Sequence, residues 1–102
     1  MAETVREFFE TLEAKAEPER ADGLTASYLF GIDGAGTWKV DVVGGHPTVT
    51  EGEADADCTI TASEATFQKI VSGKQNPVTA YMTGKIRVAG DMATAMKLQK
   101  LF

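Results

Sequence analysis

Few side chains in this chain could do chemistry, and their types and spacing narrow the choices. His46 is the only histidine and precedes Pro47 in the turn Gly44-Gly45-His46-Pro47. A general base needs a substrate proton within hydrogen-bond reach and a partner to orient it. The spacing around His46 supplies neither, so an exposed turn histidine is expected. Cys58 is the only cysteine, so it has no internal disulfide partner. It falls on the apolar side of an alternating run, where a small core hydrophobe is expected rather than a reactive thiolate. Glu51, Glu53, Asp55 and Asp57 alternate, and Glu64 follows Glu53 by eleven positions. That spacing mimics a calcium loop, but Cys58 stands where the sharp turn requires glycine. A solvated acidic loop is the better reading, and no metal is expected.

Two glycine patterns suggest phosphate chemistry and fail on context. Gly31-Ile32-Asp33-Gly34-Ala35-Gly36 lies between two runs that read as strands. A phosphate cradle must instead lead from a strand into a helix, so a hairpin is expected. Gly73-Lys74 would need glycine at Gln68 and Ser or Thr at Gln75 to form a P-loop.

The elements that must position any site are well punctuated. Thr4 and Glu7 fit a capping box ahead of a helix with Val5, Phe8, Phe9 and Leu12 on one stripe, ended near Glu17-Pro18. Strands follow with inner faces Ala26/Tyr28/Phe30/Ile32 and Trp38/Val40/Val42, then a weaker strand at Thr48–Glu51 and one with Cys58/Ile60/Ala62. Ser63 caps a helix carrying Phe67, Ile70 and Val71, closed by Gly73. Asn76-Pro77 opens a short helix over Val78 to Met82, stopped by Gly84. Ile86 and Val88 alternate with Lys85 and Arg87 in a fifth strand, and Gly90-Asp91 turns into a last helix rich in Met and Leu. The order α-β-β-β-β-α-α-β-α predicts an α+β fold with a five-stranded mixed, mostly antiparallel sheet and helices packed on one face. The first four strands are expected to form a meander, with the fifth free to pair in parallel.

Length and composition bound the function. The 102 residues make one domain, 1–102, with a net charge of −5, which disfavours a nucleic-acid partner. No run approaches the roughly 20 apolar residues of a membrane span. The acidic N-terminus does not read as a secretory signal, and Gln99-Lys100-Leu101-Phe102 is not a Ser-Lys-Leu address. A cytoplasmic location is the default expectation.

The stretch SGKQNPVTAYMTGKIRVAGDMATAMKLQKLF resembles the C-terminal half of a sterol carrier protein-2-like (SCP2) domain. The Gly-Lys helix end, the Asn-Pro helix start, the Gly-Lys-Ile strand, the Gly-Asp turn and the Leu-rich helix come at the family's spacing. Gly-Thr-Trp near Trp38 and ADCTITAS resemble its N-terminal half more loosely. The resemblance implies a sheet and helices enclosing an apolar tunnel for a lipid, whether a fatty acyl chain, acyl-CoA or sterol/isoprenoid-like molecule. It implies non-catalytic binding, with intracellular transfer as its use, and no cofactor.

The apolar constellation fits that implication. The candidate tunnel-lining residues are Trp38, Phe67, Ile70, Tyr81, Met82, Ile86, Met92, Met96, Leu101 and Phe102, among which the polarizable methionines would form an adaptable wall. Read one at a time, each is more readily a core residue than a tunnel wall. Family members also occur as domains appended to enzymes and as helpers in quinone biosynthesis. The alternative is therefore an accessory or protein-interaction module with a vestigial cavity. Transient membrane contact, a protein partner and a homodimer stay open, and an enzyme built on His46 is the third reading.

Overall fold

The computed structural model describes residues 4–15 and 23–97. Helix α1 spans Val5–Lys15, followed by strands β1 (Ala26–Asp33), β2 (Gly36–Val43), β3 (His46–Glu51) and β4 (Cys58–Ser63). Helices α2 (Glu64–Val71) and α3 (Pro77–Met82), strand β5 (Ile86–Gly90) and helix α4 (Met92–Lys97) complete the order. The helix stop expected at Glu17-Pro18 lies outside the described residues.

The helix ends form as their side chains dictate. The Thr4 hydroxyl accepts the Glu7 N–H at 3.1 Å and donates to the Glu7 carboxylate at 2.9 Å. The Ser63 hydroxyl accepts the Thr66 N–H, and Asn76 Oδ1 accepts from Val78 and Thr79. At the end of α3, the Gly84 N–H reaches the Tyr81 carbonyl and the Lys85 N–H reaches that of Ala80. This paired closure needs a left-handed residue, and Gly84 has φ +79°.

The sheet order is β3-β2-β1-β4-β5. Only β1, β2 and β3 form a meander. β4 crosses to the far side of β1 and pairs with it in parallel, whereas β5 is antiparallel to β4. This corrects the expected four-strand meander and the expected parallel role of the fifth strand. The reason lies in β3, where Pro47 lacks an N–H and Thr48, Thr50 and Glu51 are polar, a composition suited to a sheet edge. α1 protects that edge: Glu13 Oε1 accepts the Val49 N–H at 2.6 Å, and the Arg6 guanidinium forks onto Glu51 at 3.0 and 3.1 Å. β4 buries every second residue and takes a neighbour on each side.

All four helices lie on one sheet face, against Tyr28, Phe30, Trp38, Val40, Cys58 and Ile60. Phe9 of α1 is sandwiched between Trp38 (4.7 Å, 14°) and Phe67 (5.4 Å, 16°). Trp38 is 3% exposed, on the inner face where the alternation puts it.

One glycine has a role beyond its turn. Gly90 has φ +106°, and a Cβ there would strike the carbonyl oxygen of Asp57, the residue just before β4. Around Gly84 a Cβ would meet nothing within 4 Å. Gly84→Ala should therefore lose only the left-handed backbone cost of about 1–2 kcal/mol. Gly90→Ala should lose clearly more, at least about 3 kcal/mol, because strand separation adds to backbone strain. Urea denaturation of the two variants checks the ranking, and equal losses would mean that β4 and β5 do not approach so closely.

Candidate functional site

An apolar cavity of about 80 Å³ lies between the β4–β5 half of the sheet and the helices above it. Its floor is one lateral row of the sheet, because the register sets Phe30 beside Ile60 and Ile60 beside Val88. Ile86 adds the next row, and Phe67 closes the side facing α1. α3 contributes Pro77, Val78 and Tyr81, and α4 contributes Met92, Ala95 and Met96. Each set recurs at the three- and four-residue spacing that keeps side chains on one helix face. The Tyr81 hydroxyl is the only polar side-chain group in this lining. The walls can hold a hydrocarbon, but they carry no acid, base or nucleophile.

The cover is held differently from the floor. α4 buries no side chain fully and depends on polar attachments. Asp91 caps it, accepting from the Ala93 N–H at 3.0 Å and the Thr94 hydroxyl at 2.8 Å, and these bonds draw its carboxyl below the usual range. Two core side chains rise from the sheet to meet it. The Tyr28 hydroxyl donates to the Thr94 carbonyl at 2.7 Å, and the Cys58 thiol donates to the Asp91 carbonyl at 3.0 Å. Burial pushes the Tyr28 phenol up to about 12, with Cys58 and Asp57 adding to the effect. Burial likewise raises the Cys58 thiol, helped by Asp91 and Asp57, so it stays a protonated donor.

Of the candidate lining residues, Phe67, Tyr81, Ile86, Met92 and Met96 come together at this cavity. Trp38, Ile70 and Met82 do not. Trp38 lies two strands away from β4, stacked on Phe9, with the Arg6 guanidinium 5.7 Å from its ring centre. It faces a separate groove with Glu10, Glu13, Val49 and Glu51. Met82 falls one residue beyond Tyr81, hence off the lining face of α3, and is 79% exposed. Ile70 is half-buried on α2 outside the cavity. Leu101 and Phe102 lie outside the described residues. Phe30, Ile60, Val88, Pro77, Val78 and Ala95 were not among the candidates. The inner-face alternation marked the first three as core, but only the pairing of β1, β4 and β5 sets them under the cavity.

The remaining chemical candidates are dispersed. His46 begins the exposed edge strand, with β2, β1 and β4 between it and β5. Asp57 serves structure: its N–H donates to Ser27 Oγ and its carboxylate accepts the Ser27 N–H, at 2.8 and 3.0 Å. Among the described residues, no three His, Cys, Asp or Glu side chains are grouped to hold a metal, and no helix is long and apolar enough to cross a membrane.

The profile of the SCP-2 sterol transfer family matches residues 6–102. The chain belongs to that family. This SCP-2 domain is 37% identical over 102 residues to sterol carrier protein 2 of Rattus norvegicus, covering 91% of the chain and 19% of the relative. It is 35% identical over 101 residues to hydroxysteroid dehydrogenase-like protein 2 of Homo sapiens, covering 95% of the chain and 24% of the relative. The chain thus spans about a fifth to a quarter of the curated relatives it matches. Among solved structures, sterol carrier protein domain 2 of Helicoverpa armigera superposes with a TM-score of 0.73 at 31% identity, covering 92% of this chain and 81% of that one. The SCP-2 domain therefore has the α+β fold of its relatives.

The Tyr28 contact gives a signed pH prediction. Above about pH 10 the phenol ionises in the unfolded chain, whereas in the fold it keeps its proton to about 12. The folded state then binds more protons, so stability falls as pH rises through that window. The stability advantage of the parent over Tyr28→Phe should be full below pH 10 and shrink between about 10 and 12. Denaturation curves at several pH values read it. A gap that is constant with pH would mean the phenol is not a buried neutral donor.

Proposed function

We propose that this SCP-2 domain binds a lipid with a flexible apolar chain in the cavity beneath α4, without catalysing a reaction on it. A fatty acyl chain, an acyl-CoA or a sterol/isoprenoid-like molecule fits this reading, and carriage between intracellular sites would be its use. The observation that carries it is the lining itself: eleven residues from six elements converge, and apart from one tyrosine hydroxyl their side chains present hydrocarbon and thioether surface. Family membership supports the same general activity.

The energetics are sufficient. About ten buried methylenes at roughly 0.8 kcal/mol each supply about 8 kcal/mol, the scale of micromolar affinity, against which ordering costs are set. The volume adds a requirement. Pockets for small ligands run roughly 300–1,000 Å³, so an 80 Å³ cavity must widen. α4 is the wall that can yield, since its described part, Met92–Lys97, buries no side chain fully and is held by a few polar contacts.

One observation favours a second reading. The matched relatives are four to five times longer than this domain, as expected for an accessory module serving a larger enzyme. Native mass spectrometry of freshly purified protein separates the two, since a carrier retains lipid and a module with a vestigial cavity does not.

Met96→Gln tests the lining directly. Met96 faces the cavity but is 49% exposed, so a glutamine amide there stays hydrated. Stability should change by no more than about 0.5 kcal/mol. Affinity for a fluorescent fatty-acyl probe should fall about tenfold, or about 1.4 kcal/mol. A parent that binds no probe, or a variant that loses several kcal/mol of stability at unchanged affinity, would return the cavity to ordinary core packing.

A further inference from the structure

Two side chains of the cavity lining differ from the rest in kind. Met92 and Met96 carry thioethers, which dilute peroxide oxidises while it leaves hydrocarbon untouched. They stand four residues apart, hence on one face of α4, the wall that must move for the cavity to widen. Met92 is 40% exposed and Met96 is 49% exposed, so each meets both the cavity and the solvent. A small oxidant reaches them without unfolding the domain.

The other sulfur atoms among the described residues are placed differently. Met82 is 79% exposed but lies off the lining face of α3. Cys58 is 1% exposed, and its thiol donates to the Asp91 carbonyl. Peroxide attacks a thiolate rather than a thiol, and burial keeps Cys58 protonated. Accessible sulfur and cavity wall therefore coincide at Met92 and Met96.

We infer that Met92 and Met96 are a modification site through which hydrogen peroxide releases the ligand from the cavity. The inference rests on the lipid-binding reading. At each residue the sulfur lone pair attacks one peroxide oxygen, the O–O bond breaks, an S–O bond forms and water leaves. The sulfur is oxidised by two electrons and the peroxide is reduced by them. The product is a polar sulfoxide on the face that meets the ligand. In the empty domain solvent hydrates that oxygen, because both residues are half exposed. A seated acyl chain strips this water and supplies no donor in return, since the lining offers only the Tyr81 hydroxyl. Oxidation thus weakens binding rather than folding. Conversely, an acyl chain lying against α4 covers both sulfurs, so the loaded domain resists the oxidant and the empty one accepts it.

Peroxide treatment followed by mass-spectrometric peptide mapping tests the inference. A brief exposure of the full chain should add one oxygen each to Met82, Met92 and Met96 and none to Cys58. Affinity for a fluorescent fatty-acyl probe should fall at least about tenfold, with the circular dichroism of the folded domain retained. Prior saturation with palmitate should slow oxidation of Met92 and Met96 severalfold and leave the rate at Met82 unchanged. Met92→Leu/Met96→Leu keeps an apolar wall without sulfur and should hold the probe through the treatment, whereas Met82→Leu should lose it as the parent does. The two methionine sulfoxide reductases, one for each epimer, should restore the oxidised parent, with a dithiol converted to its disulfide as water is released. Undiminished probe affinity with both sulfoxides formed, an equal loss in the double leucine variant, or palmitate protection as strong at Met82 would overturn the inference. Palmitate protection is read on the parent itself, so it decides whether or not the double variant folds. A parent that binds no probe before treatment would defeat the lipid-binding reading and this inference together. A parent that binds the probe and keeps it after oxidation would defeat this inference alone.

Discussion

The parallel pairing of β1 with β4 is the contact on which the other features of this domain depend. It seats Ile60 beside Phe30, and through β5 it extends the row to Val88. Without it the floor of the cavity would be scattered over separate strands. A parallel pair cannot be closed by a tight turn, so the chain must first spend β2 and β3 on the other side of β1. The return is secured locally by the reciprocal Ser27–Asp57 hydrogen bonds and by Gly90, whose missing side chain lets β5 approach the Asp57 carbonyl.

The helical layer above this sheet is divided into two halves with different physics. Over β1, β2 and β3, α1 packs Val5, Phe9 and Leu12 into a closed core. The Trp38–Phe9–Phe67 stack forms its dense centre, where aromatic pairs add roughly 0.5–1.5 kcal/mol each beyond area burial. Over β4 and β5, α3 and α4 leave methionines and a tyrosine half in solvent. Phe67 belongs to both halves and forms the wall between them. A close-packed half provides the stability that a loosely covered half does not, and so a cavity is tolerated only on the second side.

The polar groups follow that division. Near the closed half, Glu13 and the Arg6–Glu51 pair protect an edge strand. Near the open half, Tyr28, Cys58 and Asp91 carry the bonds that hold α4 over the sheet. Every one of these bonds fixes an element in place, and none assembles a catalytic constellation.

Much of this was legible in the residues. Alternation at Tyr28/Phe30/Ile32 and Trp38/Val40/Val42 names the inner face because a strand has a period of two. Ser63, Asn76-Pro77 and Gly84 name helix ends because capping is local chemistry. The sequence by itself therefore determined the elements, the buried face of each strand and the family resemblance, all of which rest on short-range rules. It did not decide which strand lies beside which. β4 could extend the meander or return to β1 with the same alternation, and only long-range packing chooses. The cavity lining depends on that choice, so Phe30, Ile60 and Val88 look like any core residues until the register aligns them. Trp38 shows the converse. Its apolar bulk and inner-face position were readable, but the tertiary structure alone set it on β2, beyond Phe30 of β1 and stacked on Phe9, outside the cavity. Met82 makes the same point on a helix, where one residue's rotation of about 100° carries an apolar side chain from the lining into solvent.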